Sequence, residues 1–308
     1  MGPATKRERD TQTIEMFPMP DVVDSIVRIE TSLRPIESPV WSENKAKIIS
    51  KYVKYFIMIT KHGTYIDAFA GPQVEEFNDE SWSAKQVLEI EPDWMRRFIL
   101  CELNPGQFSH LERLVAERRA KGDKRKIELH KGDCNVALPE ALRQKPLKPK
   151  EATFCLLDQR TFECDWSTVR SISTHKTSGN KIELFYFLPV SWLARSISAL
   201  KTDDQLIRWW GRDDVGLLKA AKSIHDVAKL FTDRFSRELG YASVIAWPIY
   251  DRSEAGRIMY FMIHAADHAD APKLMNRAYR QATGALEPMA HLQMELDAAG
   301  FDVDAMLR

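Results

Sequence analysis

The sequence predicts an α/β fold: a mostly parallel sheet that ends in an antiparallel hairpin, with a helical insertion ahead of that hairpin. Apolar runs alternate with helical stretches, and three of the runs finish in a carboxylate: Tyr65-Ile66-Asp67, Phe98-Ile99-Leu100-Cys101-Glu102 and Phe154-Cys155-Leu156-Leu157-Asp158. Parallel strands buried on both faces read as near-continuous apolar runs, and their carboxyl ends open onto the crevice where α/β sheets bind ligands. Late in the chain, Ser243 to Tyr250 and Arg257 to Ala265 are joined only by Asp251-Arg252-Ser253-Glu254-Ala255-Gly256. So short a link cannot hold a crossover helix, so these two strands pair antiparallel.

The elements follow in order. Residues 1–20 are polar and mixed in charge, which predicts an arm without fixed structure, and Pro18 and Pro20 mark its end. A helix is expected from Ser42, a plausible N-cap, to Thr60, because Ile48, Ile49, Tyr52, Val53, Phe56 and Ile59 recur at helical spacing. The first strand spans 64–69 and leads into a small-residue loop at Gly71, and a helix follows near 84–91. The second strand, 98–102, runs into Asn104-Pro105, a helix start with proline at the first turn. A strand at 126–130, a helix through Val136, Leu138 and Leu142, a strand at 152–158 and another at 181–188 come next. Helices are expected through most of 191–240, then the hairpin, a helix over 271–282 and a polar tail over 286–308. The main domain is therefore residues 21–285.

Composition narrows the class. The chain has 308 residues, 44% hydrophobic and 29% charged, and its 44 basic and 44 acidic side chains cancel. That is the make-up of an ordinary globular protein, with no global charge to draw nucleic acid or membrane. No apolar run reaches the ~18 residues that cross a bilayer, and the N-terminal stretch lacks a signal-peptide core, so a cytoplasmic protein is expected. Cys101, Cys134, Cys155 and Cys164 form no CxxC pair, which predicts reduced structural thiols and no metal site.

Strand-end acids beside a glycine loop are suited to a nucleoside-bearing cofactor. The acid after the second strand can accept both ribose hydroxyls, and the glycine lets backbone approach closely. Gly71 and Glu102 stand 31 positions apart, against the ~20 expected in a dinucleotide site. The added length makes room for a loop and a helix, which favours S-adenosylmethionine over NAD. Strand and helix alternation with a terminal antiparallel hairpin is the class I methyltransferase architecture, Rossmann-like in its parallel part.

Trp41-Ser42-Glu43 with Lys45, the Y-I-D-A-F-A-G-P strand, Glu102-Leu103-Asn104-Pro105, Gly132-Asp133-Cys134-Asn135 and Tyr260-Phe261-Met262-Ile263-His264-Ala265-Ala266 together resemble the three-Cys-motif partner protein family. The resemblance covers about residues 40 to 285. It implies a branch of the class I, S-adenosylmethionine-dependent methyltransferases, named for a neighbouring three-cysteine protein of radical-enzyme type. By this resemblance Asp67, Phe69 and Gly71 belong to the cofactor loop, Glu102 to the ribose, and Asp133 with Cys134 to the adenine. Asp158 would face the transferred methyl. Apart from the resemblance, Phe162, four residues beyond that acid, is the candidate to stack on an extruded base. Two positions depart from the family pattern: Gln73 stands where a second glycine is common, and Gln159 where proline follows the acid.

Each residue also has a plainer role. Strand-end acids cap the helices that follow them, and Gly132-Asp133 reads as an N-cap. Phe162 suits a core position. Basic clusters at 117–131 and 143–150 could meet nucleic acid through counterion release, although Glu117, Asp123 and Glu128 interleave with the first. The expected function is an S-adenosylmethionine-binding methyltransferase acting on nucleic acid. The alternative is a lapsed scaffold that binds the three-cysteine neighbour through Trp192, Trp209 and Trp210.

Overall fold

The structure is a computed structural model that describes residues 45–72, 81–251 and 257–283. The expected arm at 1–20, the Ser42 cap, Gln73 and the tail at 286–308 lie outside the described residues. All of the described residues fall within one compact unit, Pro35–Arg308.

Seven strands form one sheet, in the order β3-β2-β1-β4-β5-β7-β6. They are β1 (Gly63–Asp67), β2 (Met95–Glu102), β3 (Lys126–Lys131), β4 (Thr153–Leu157), β5 (Glu183–Pro189), β6 (Ser243–Asp251) and β7 (Arg257–Ala266). The first five run parallel, while β7 pairs antiparallel with both β5 and β6. This is the class I methyltransferase order: among the described residues a helix stands between successive parallel strands, while β6 and β7 lie too close in sequence for a crossover.

The helices among the described residues are α1 (Lys45–Thr60), α2 (Ser83–Leu88), α3 (Pro105–Ala120), α4 (Cys134–Gln144), α5 (Trp166–Ser173), α6 (Leu193–Ala199), α7 (Asp204–Trp210), α8 (Gly216–Lys219), α9 (Ile224–Arg237) and α10 (Ala271–Thr283). On one face α1 packs against α2 and α10; on the other α4 meets α5, and α5 meets α7. Side chains two apart on a strand share a face. Tyr65, Phe154 and Phe185 accordingly turn toward α1, where Tyr52 lies 5.8 Å from Phe154 and 4.8 Å from Phe185, centroid to centroid. Tyr186 turns the other way, onto Phe231 and Phe235 of α9.

Helix α5 was not anticipated. Trp166, Val169 and Ile172 carry its buried face behind Asp165 at the N-cap position, over only eight residues. The 191–240 insertion is helical as expected, but it is part of the core. Trp209 and Trp210 are both fully buried, although neighbours on a helix point in different directions. They manage this because α7 is wedged in: Trp209 meets Phe162 and Phe231, and Trp210 meets Phe231 and the Arg234 guanidinium.

Candidate functional site at the strand carboxyl ends

Register brings the three acids together. Asp67 pairs with Leu100 on one side and with Leu156 on the other. Glu102 and Asp158 each lie two residues farther along, so all three side chains leave the same face of the sheet at its carboxyl edge.

Asp67 is almost fully buried. Its Oδ1 accepts from the Phe69 N–H at 3.0 Å and its Oδ2 from the Tyr65 hydroxyl at 2.9 Å. Burial pushes its carboxyl up to about 7; those two hydrogen bonds oppose the rise, and the charges of Asp158 and Glu102 add to it. Glu102 is half-buried, with Oε2 accepting from the Gly71 N–H at 2.9 Å and Oε1 from the Asn104 N–H at 2.8 Å. The loop is drawn in further where Ala70 N–H donates to the Cys101 carbonyl and Ala68 N–H to that of Leu156.

Asp133 caps α4, its Oδ1 accepting from the Asn135 N–H at 2.8 Å, which is the plainer of the two roles anticipated for it. Cys134 follows it, buried, and the other three cysteines are buried and free as well. Cys101 donates its thiol to the Gly132 carbonyl, at 3.3 Å. A hydrogen bond to the Cys134 side chain, with burial, holds the Cys164 thiol well above its ordinary range.

Asp158 is buried, and the Lys45 Nζ lies 2.6 Å from its Oδ1. That ammonium also sits 4.6 Å from the Phe187 ring centroid and 4.4 Å from that of Tyr260. Lys45 and Asp158 are 113 positions apart, so no sequence spacing announced the pair. Tyr65, Phe187 and Tyr260 carry no sequence signal beyond their strands. Alternation along their strands could have placed them on the acid-bearing face.

Gln159 explains how the departure from proline is accommodated. It is fully buried; its Oε1 accepts from the Cys164 N–H and the Trp209 indole N–H, both at 3.1 Å, and its Nε2 donates to the Phe187 carbonyl at 3.3 Å. An amide thus fixes the loop that a rigid ring would otherwise shape. Phe162 lies inside that loop, buried, its ring edge-on to Trp209 at 5.0 Å. The ring packs against Trp209 as a core side chain, the plainer of the two roles expected for it.

The chemistry of these side chains fits S-adenosylmethionine. Its sulfonium and ammonium would meet a face that carries the Asp67 and Asp158 carboxyl groups, the second of them paired with Lys45. Glu102 uses one acceptor site on each oxygen, and a carboxylate has about four, so capacity remains for a ribose diol. A separate cavity, lined by Phe56, Lys176, Lys181, Glu183 and Asp267, opens at the amino ends of β4 and β5 and touches none of these three acids.

No protein-family model matches the sequence, and no curated protein matches it. Solved structures to which the chain is similar include Pyrococcus horikoshii TYW2 in complex with MeSAdo, at 13% identity and a TM-score of 0.37, covering 77% of this chain and 65% of that one. Spermidine synthase of Thermotoga maritima aligns at 12% identity and a TM-score of 0.38, covering 74% of this chain and 62% of that one. A Legionella pneumophila protein of the DUF519 family aligns at 10% identity and a TM-score of 0.48, covering 80% and 92%. The chain thus spans less than two thirds of the length of the first two.

Part of each basic cluster is answered from within. Arg118 and Arg125 pair with Asp123, while Arg97, Lys126 and Lys145 pair with Glu128. These contacts hold the Asp123 carboxyl well below the usual range, and take that of Glu128 down to about 2 despite its burial. Among the described residues no helix is long and apolar enough to cross a membrane, and no group of three or more His, Cys, Asp or Glu is placed to hold a metal ion.

Proposed function

We propose that this chain binds S-adenosylmethionine at the carboxyl ends of β1, β2 and β3 and passes its methyl group to an acceptor held beside Asp158. One observation carries the reading: the β1–β2 and β1–β4 registers deliver Asp67, Glu102 and Asp158 to one edge, on one face, with the Gly71 loop folded against Glu102. Glu102 would hold the ribose, Asp67 and the Phe69 backbone the amino-acid end, and Asp133 with Cys134 the adenine edge. When bound, the cofactor supplies an activated methyl group. The chain's part is to position it, to exclude water with the Tyr65, Phe187 and Tyr260 rings, and to accept a proton at Asp158.

A base amino group on nucleic acid is the acceptor expected from the sequence. It would donate to Asp158 after Lys45 withdraws, and Phe162 would have to leave Trp209 to stack on it. A second reading, the scaffold that keeps the fold without turnover and binds a three-cysteine neighbour, is favoured by Lys45 filling the acceptor edge. Of its expected anchors Trp209 and Trp210 are buried, and Trp192 keeps some surface.

Crystals grown with S-adenosylhomocysteine test the cofactor reading: density for the adenosyl group between the Gly71 loop and Glu102 supports it, and ligand-free density at saturating concentration contradicts it. Transfer of labelled methyl groups into RNA or DNA tests the acceptor, and co-purification with the three-cysteine neighbour tests the scaffold.

A further inference from the structure

The edge beside Asp158 has the composition of a cation box. Lys45 reaches it from α1 and is itself 9% exposed, so its side chain is largely shielded from water. The ammonium lies 2.6 Å from a buried carboxylate oxygen and within 5 Å of two aromatic centroids. An ammonium over a ring face is attracted by the ring quadrupole at such distances, and more strongly where water is excluded. Trp192 stands edge-on to Tyr260, its centroid 5.1 Å away at 90°, and braces that wall. Its indole N–H is tied to the Arg160 carbonyl at 3.1 Å, so the wall is fixed to the loop that follows Asp158. A cation-binding arrangement of one acid and two ring faces is therefore complete in this chain, and a side chain from another element occupies it.

We infer that Asp158, Phe187 and Tyr260 form an acceptor subsite for an organic amine, bound as its ammonium, and that Lys45 fills this subsite in cis until such a group displaces it. The inference rests on the reading of this edge as the acceptor side and names the acceptor class. The entering ammonium would give one proton to Asp158. The freed nitrogen lone pair would then form the N–CH3 bond as the methyl–sulfur bond of the donor breaks, its electron pair staying on sulfur, which leaves as a neutral thioether. Two sources share this chemistry, a free alkylamine and a lysine side chain of another protein.

The test needs no cofactor. Lys45→Ala removes the resident ammonium, and thermal unfolding of the variant is followed with n-butylammonium, with Nα-acetyl-lysinamide and with n-butanol, which has the chain but no charge. The subsite predicts that the variant's lowered melting temperature is recovered in part by the two ammonium compounds and not by butanol, and that Lys45→Ala combined with Asp158→Asn shows no recovery. The larger recovery of the two identifies a free amine or a lysine side chain as the better fit. Equal responses to butanol and butylammonium, or no response to any of them, overturn the inference. Should Lys45→Ala fail to fold, refolding yield with and without butylammonium is measured instead: a gain absent with butanol supports the subsite, and no gain overturns it. Methyl transfer to an oligonucleotide with none to either amine would also overturn it. Failure of the ammonium experiment leaves cofactor binding untouched, since that is measured on the wild-type chain with S-adenosylhomocysteine.

Discussion

Gly71 and Glu102 are packed closer than any side chain at position 71 would permit. The Gly71 N–H donates to Glu102 Oε2 at 2.9 Å, and a Cβ built on Gly71 would lie 2.6 Å from that oxygen and 2.6 Å from the Gln107 Cβ. The glycine is therefore required first by the fit of the loop to the acid, and through that fit by any ligand the acid holds. Gly71→Ala should displace the loop and weaken S-adenosylhomocysteine binding by about tenfold or more, roughly 1.4 kcal/mol. Isothermal calorimetry on the variant checks this; unchanged affinity would detach the loop from the site.

Asp67 makes stability fall as pH rises. In the unfolded chain an aspartate titrates near ~3.9, whereas here burial raises it to about 7. Between those values the folded state keeps a proton that the unfolded state has released, so folding stability declines across roughly pH 4 to 7 and levels off above. The full window corresponds to about 4 kcal/mol as an upper figure. Urea unfolding at several pH values should show this slope, and Asp67→Asn should remove most of it.

Gln159→Ala should destabilise the fold by about 1–3 kcal/mol, because the Trp209 indole N–H and the Cys164 N–H would lose their shared acceptor inside the core. Denaturant titration measures the loss, and a change in indole fluorescence should accompany it.

Arg234 stacks its guanidinium 3.9 Å from the Trp166 centroid and 4.2 Å from that of Trp210, while pairing with Glu238. Lysine cannot reproduce a planar group between two rings. Arg234→Lys should therefore cost about 1–3 kcal/mol in the same assay, with no effect on cofactor affinity.

The sheet was legible in the sequence because a strand buried on both faces must be apolar throughout, and a link as short as 251–256 admits only a hairpin. Strand ends were less exact. β2 begins at Met95, three residues before the expected start, since Arg97 can enter the sheet once Glu128 on β3 answers its charge. Helix α5 escaped notice because eight residues hold too few apolar positions to show a period, although Asp165 and the Trp166, Val169, Ile172 spacing were there to read. The acids were visible as strand-end carboxylates, but Lys45 against Asp158 was not, because a tertiary pair leaves no mark in local spacing. The burial of both Trp209 and Trp210 likewise depends on α5 and α9 closing over α7, which the α7 sequence alone does not record.

The most direct test of the account is a calorimetric titration of the wild-type chain and of Glu102→Ala with S-adenosylhomocysteine. The account predicts saturable binding at one site in the wild type, weakened about tenfold or more in the variant. No heat in the wild type at millimolar ligand, or equal affinity in the two proteins, would contradict it.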